Sequence, residues 1–354
     1  MKKTLLVLAS VTAFAALVAC KAKVDLGTNG GADNVLGTGG FTAPGGGGGS
    51  TSDAITVLGK AHVGASSLVL DSQNVYWVDE NPQGGVWGVS KSGGSETELA
   101  SCTDCVGSTI AVDSTRLYVP TSKTISAVPL GGGAPAALVS LGEPVGGVTR
   151  NSENLFWVES GPSLLGGPDG GALISGAAGK SLPLEGGAEP IDIPLPDELV
   201  SSTQPVSFLF ASAKAIFASD PTLGVIRMPY DGSAASVLPV IGSPLGIASD
   251  DVDVFVANGQ TISKVSIADG VEAQLLGGNT SMDLAPYEIA LDGDTIYFTD
   301  QAQGGRIFRM VLSTPGVTLT QLADQQGMPT SIAVDETSVY WIAADEGAIK
   351  KIAK

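Results

Sequence analysis

From residue 54 onward, hydrophobic positions come in short runs punctuated by single turn formers, and the punctuation repeats. Each unit is a brief apolar run, an Asp-like turn residue, and a strand with aromatic side chains near its middle. Leu68-Val69-Leu70-Asp71 leads into Val75-Tyr76-Trp77, and Ile110-Ala111-Val112-Asp113 into Leu117-Tyr118-Val119. Ile289-Ala290-Leu291-Asp292 leads into Ile296-Tyr297-Phe298, and Ile332-Ala333-Val334-Asp335 into Val339-Tyr340-Trp341. Weaker copies turn at Asn151, Ser212 and Asp250. The seven turn residues are spaced 42, 38, 61, 38, 42 and 43 apart, and 11 of the 19 aromatic residues fall in the two columns after the turn, which chance does not produce. A third strand such as Arg306-Ile307-Phe308-Arg309-Met310 follows, then a weaker fourth such as Val271-Glu272-Ala273-Gln274-Leu275-Leu276.

Four short strands per roughly 40 residues predict one propeller blade, so the region is expected to be an all-β, seven-bladed β-propeller. Bulky residues on both faces of the second strand suit blades that pack face to face. The last copy stops after its third strand, Ala348-Ile349-Lys350-Lys351-Ile352, and the strand it lacks is available at Ala54-Ile55-Thr56-Val57-Leu58-Gly59. The N-terminal strand is therefore expected to complete the C-terminal blade, removing the exposed sheet edges that invite aggregation. The third copy is longer than the others, with its excess inside Ser160–Pro205. An insertion on a rigid scaffold is either a binding loop or decoration.

The first 53 residues break this pattern. Lys2 and Lys3 precede an apolar run from Leu5 to Ala16 that is shorter than the roughly 20 residues a membrane span needs. Residues 1–19 read as a bacterial signal peptide. Its end, Leu17-Val18-Ala19-Cys20, resembles a bacterial lipobox, and the resemblance implies cleavage before Cys20 and lipid attachment there. Residues 20–53, with 11 glycines and the run Gly45–Gly49, read as a flexible tether of roughly 30 Å. The expected domains are thus 1–19, 20–53 and 54–354. The expected address is the cell envelope, at the outer membrane or cell surface, with the lipid as the sole membrane contact.

The charge balance narrows the partners. With 18 Lys+Arg against 36 Asp+Glu, the net charge is −18, which argues against nucleic acid and against a basic membrane-binding patch. One histidine, His62, disfavours His-dependent catalysis, and no Gly-x-Ser-x-Gly, Walker or His-Glu-x-x-His motif occurs. The segments Val75-Tyr76-Trp77-Val78-Asp79 and Ile296-Tyr297-Phe298-Thr299-Asp300 resemble the YWTD repeat, and residues 54–354 are similar to the wider group of NHL-repeat and gluconolactonase-type propellers. The count of seven departs from the six blades of YWTD domains. The resemblance to gluconolactonase-type propellers implies a central metal held by carboxylates, yet among the positions where first strands enter the channel only Glu288 is acidic. The others are Ser67, Thr109, Gly147, Phe208, Gly246 and Ser331.

Strand order defines two faces. The Asp-like turns lie on the bottom, where Asp accepts backbone hydrogen bonds in tight turns, and these are expected to serve folding. The top collects Asp79, Glu80, Asp220, Asp300, Asp345 and Glu346, with Glu159, from second-to-third-strand loops. Such a rim, with Glu288, either binds a ligand, supplies oxygens to Ca²⁺, or is simply solvated. Cys102 and Cys105 are expected to form a disulfide in an oxidising compartment; His62, Asp104 and the two cysteines offer zinc-type ligands as a less expected alternative. The leading expectation is a monomeric, envelope-anchored binding or scaffold protein for a protein or glycan ligand, requiring no cofactor. The alternative is a metal-dependent hydrolase or lyase. Cys20→Ser is expected to abolish incorporation of a clickable fatty acid; unchanged labelling in the variant sinks the lipid anchor.

Overall fold

In a computed structural model, the described residues are 54–354, apart from 63, 81–83, 106–108, 144, 160–176, 186–187, 197–205, 207, 278–282 and 314–315. They belong to the unit Gly45–Lys354. The signal peptide, Cys20 and the tether lie outside them, as does most of the third-copy insertion. The described chain forms seven four-stranded antiparallel sheets, a seven-bladed β-propeller. Six blades run in simple sequence order, such as Ala65–Leu70, Asn74–Asp79, Gly85–Ser90 and Thr97–Ser101 in blade 1. Blade 7 takes Pro329–Val334, Ser338–Ala343 and Ala348–Ala353 from the C-terminus and Thr56–Lys60 from the far end of the domain. Thr56 stands opposite Lys351 and Lys60 opposite Ala348.

The core is divided into interfaces between successive blades. Side chains alternate across a strand, so the two aromatic columns point opposite ways. Tyr76 packs toward blade 2, with Leu117 and Val119, while Trp77 packs toward blade 7, with Tyr340 and Ile342. Tyr297 and Phe298 divide in the same sense, the first joining Trp341 of blade 7 and the second Phe255 of blade 5. Trp77, Trp157, Trp341, Tyr118, Tyr340 and Phe298 are among the most deeply buried large side chains.

The bottom turns explain the repeated Asp. Asp71 Oδ1 accepts from the Gln73 and Asn74 amides at 2.7 and 2.6 Å, and Tyr76 donates its hydroxyl to Oδ2 at 2.7 Å. Asp113 with Tyr118 and Asp335 with Tyr340 repeat the arrangement. Burial works to raise these carboxyls, but the hydrogen bonds outweigh it and hold Asp71, Asp113 and Asp335 below the usual carboxylate range. Burial and the Asp partners push the three tyrosines up to about 12. Where the strand carries Phe156 or Phe217 instead of Tyr, the turn residue is Asn151 or Ser212, which accepts from the turn amides, and Ser212 also donates to Asp251 at 2.5 Å. Asp292 is the exception. Its strand runs on to Asp292, the turn passes through Gly293 at φ 59°, and the exposed Asp292 carboxylate pairs with Lys354 at 2.6 Å. It is therefore no turn cap, unlike the expectation for the column.

Ring closure depends on the strand Thr56–Lys60, which also places Leu58 in the blade 7–blade 1 core. Deleting residues 54–60 opens an edge on the strand Ala348–Ala353 and leaves that core unfilled. The loss is expected to reach several kcal/mol, much of a typical 5–15 kcal/mol stability, read as a lower Tm; an unchanged Tm refutes closure as a source of stability.

Candidate functional site

The seven first strands line a central channel of about 620 Å³. Neighbouring first strands approach so closely that a side chain at some positions has no room. A Cβ on Gly246 would lie 2.8 Å from Glu288 Cα, and one on Gly147 would lie 2.0 Å from Thr109 Oγ1. That is why two of the channel-entry positions are glycine.

At the top end, four of these strands slip register, between Ser66 and Val69, Val145 and Val148, Pro286 and Ile289, and Pro329 and Ile332. A bulge of this kind re-aims the extra residue, and the slipped segments contain Ser67, Gly147, Glu288 and Ser331. The result is a relay across three blades: the Leu68 amide donates to Ser331 Oγ at 3.0 Å, and Ser331 Oγ donates to Glu288 Oε1 at 3.1 Å. Thr299 Oγ1 accepts from the Glu288 amide at 3.0 Å and fixes the backbone beneath. Glu288 keeps some surface open to the channel, yet protein surrounds it deeply. Desolvation raises its carboxyl to about 8, against the lowering pull of Ser331 and the Ile332 amide. At neutral pH it is mainly a carboxylic acid.

The other rim acids part company. Asp79, Asp220 and Asp300 sit at the top ends of second strands but are fully buried. Asp220 Oδ1 caps its own loop, accepting from Thr222 N, Thr222 Oγ1 and Leu223 N. Thr121 and Asn258 stand at the same position in blades 2 and 5 and cap likewise. Asp300 accepts from Arg306, with which it forms a buried ion pair, and from the Ala285 amide at 2.5 Å. Glu159 accepts from the Trp157 indole at 3.1 Å, Glu346 pairs with Lys350 at 2.6 Å, and Glu80 accepts from Ser66 at 2.7 Å. Asp345 and Glu346 are exposed in a short 3₁₀ turn, Ala344–Glu346. Three members of the expected rim are thus structural supports, and Glu80, Asp345 and Glu346 remain at the surface.

His62 escaped sequence reasoning as a partner for Asp79. Its Nδ1 lies 2.5 Å from Asp79 Oδ2, with the imidazole half exposed and the carboxylate buried, and its ring sits 4.9 Å from that of Trp87. Burial raises the Asp79 carboxyl against the opposing His62 contact. Cys102 and Cys105 form a disulfide with Cα atoms 5.5 Å apart, and Asp104 accepts from Ser122. The zinc-type ligands each have another partner, and among the described residues no three His, Cys, Asp or Glu side chains gather as a metal site.

No family model matches the chain, and no curated protein does. Solved structures share the fold. A catalytically inactive histidine variant of virginiamycin B lyase from Staphylococcus aureus, solved with quinupristin, is similar at a TM-score of 0.64 with 14% identity, over 85% of this chain and 99% of that one. The Pan2 WD40 domain of Neurospora crassa gives 0.62 and 9%, over 86% and 96%. The extracellular domain of the two-component system BT4673 from B. thetaiotaomicron gives 0.59 and 12%, over 85% of this chain and 39% of that one. At these identities the likeness is one of fold.

The position of Glu288 has a consequence for stability. The folded state holds its proton up to about 8, while the unfolded chain releases it near 4.5. Stability from this group is therefore full below pH 4.5, falls as pH rises toward 8, and levels off above. Glu288→Gln removes that slope. The variant is expected to match wild type near pH 5 and to exceed it by a few kcal/mol near pH 8; a difference independent of pH in denaturant titrations refutes the buried acid.

Proposed function

We propose that this protein is a lipid-anchored, extracytoplasmic binding propeller whose working surface is the top face, centred on the channel mouth at Glu288. The observation that carries the reading is the channel itself. Its volume falls within the range of small-molecule sites, and it is mainly apolar with a convergent polar group, the usual make-up of such a site. The bottom turns, by contrast, spend their Asp side chains on their own amides and tyrosines. The lipobox-like Leu17–Cys20 and the glycine-rich tether support presentation away from a membrane. The BT4673 structure offers a precedent for such a fold in an extracellular domain.

Hydrogen–deuterium exchange on the mature chain in nanodiscs, with purified cell-wall polysaccharide and a purified envelope-protein fraction as probes, tests this. Protection is expected at Glu80, Tyr287–Ile289 and Ser331. Protection confined to the bottom turns around Asp71, Asp113 and Asp335 overturns the top-face reading, and no protection with either probe overturns a polysaccharide or protein ligand for it.

A further inference from the structure

We infer that the central channel holds a small organic cation, an amine or quaternary ammonium group on an apolar body, with its charge at Glu288. This inference rests on the reading of the channel mouth as the binding site and names the ligand class. The wall is mainly apolar, with Val69, Ile110, Leu209, Ile247, Ile289 and Ile332 among its residues. Among the described residues its ionisable groups are Glu288 and Asp250, both acidic, and no Lys or Arg lines it. The two stand toward opposite ends of the first strands, so an occupant meets Glu288 at the top without Asp250 beside it. Asp250 Oδ1 is already engaged by the Val252 and Asp253 amides at 2.9 and 2.7 Å.

Glu288 is under-supplied. Ser331 is the one side chain that donates to it among the described residues. Once ionised, the carboxylate can accept from an ammonium N–H or face a quaternary centre. An anion would meet a carboxyl with no compensating cation, whereas a cation repays the desolvation that the acid bears alone. The net charge of −18 draws cations toward the protein as well. The step balances simply: the cation enters, the Glu288 carboxylic acid gives its proton to solvent, and an ion pair replaces it. The groups packed against Glu288 are Ser331, which donates to its carboxyl, and Thr299, whose hydroxyl meets its backbone, with Tyr287 adjacent, whose phenol is raised by burial first and by Glu288 and Glu80 after it. No second ionisable group within this set replaces Glu288 as the proton donor below the tyrosine range.

Isothermal titration calorimetry of the mature chain in nanodiscs, with empty nanodiscs as the blank, tests the inference with three probes: phenyltrimethylammonium, benzyl alcohol and benzoate. The expected result is one bound phenyltrimethylammonium per chain, with the other two at least tenfold weaker. Affinity rises from pH 6 to pH 8, and heats in buffers of different ionisation enthalpy report a released proton. Glu288→Gln weakens the cation at least tenfold, while Asp250→Asn leaves it unchanged. Benzyl alcohol binding as tightly as the cation, or an unaffected Glu288→Gln variant that retains wild-type circular dichroism, overturns the ion pair. If none of the probes binds while polysaccharide or protein still protects Tyr287–Ile289, the cation fails and the top-face site stands. Protection on the bottom alone removes the site itself.

Discussion

The ring depends on the second strand of each blade being apolar on both faces. A strand buried on one side leaves an ordinary sheet; a strand buried on both sides obliges another sheet to cover each face. Tyr76 and Trp77, or Tyr297 and Phe298, are adjacent in sequence and serve different interfaces. Each blade therefore completes the cores on either side, and the first and last blades are covered only when they meet. The strand Thr56–Lys60 supplies that meeting by pairing with Ala348–Ala353.

Closing seven blades crowds the inner strands, and the crowding shapes the channel. Gly147 and Gly246 give way so that neighbouring backbones can touch, and the bulges near Ser67, Gly147, Glu288 and Ser331 take up the remaining mismatch at the top. The candidate site is a product of that packing. Glu288 is directed toward Ser331 by a register slip whose origin is geometric, and its carboxyl bears the cost of being surrounded by apolar first strands.

The acids on the top face show why residue type alone is a poor guide to role. Position, partner and burial separate Asp220, which caps a loop, from Asp300, which neutralises Arg306, and from Asp79, which holds His62. All three end the same strand of their blades. Because a buried carboxylate must find a donor or a cation, the local sequence of each blade decided its use: a Thr two residues on, an Arg opposite, or a His in the preceding connection.

The repeat was legible because it rests on local chemistry. Aromatic columns, Asp turns and the orphan strand at 54–59 are short-range or periodic features, and they specify blade count, strand order and closure without knowledge of contacts. The Asp–Tyr turn bond belongs to the same class, since Asp71 and Tyr76 are five residues apart. Three features lay beyond such reading. Asp292 left its column because Gly293 extended the hairpin and Lys354, 62 residues away, offered a charge. His62 met Asp79 across two connections of one blade face. Glu288 was marked by its position, but its neutral state, its bulge and its bond to Ser331, 43 residues on, arise only when blades 6, 7 and 1 are brought against one another. The sequence by itself determined which strands form and in what order they close. Burial and partnership of single polar groups were left to the tertiary structure, because a pKa or an ion pair depends on what surrounds an atom, and those surroundings come from segments far away in the chain.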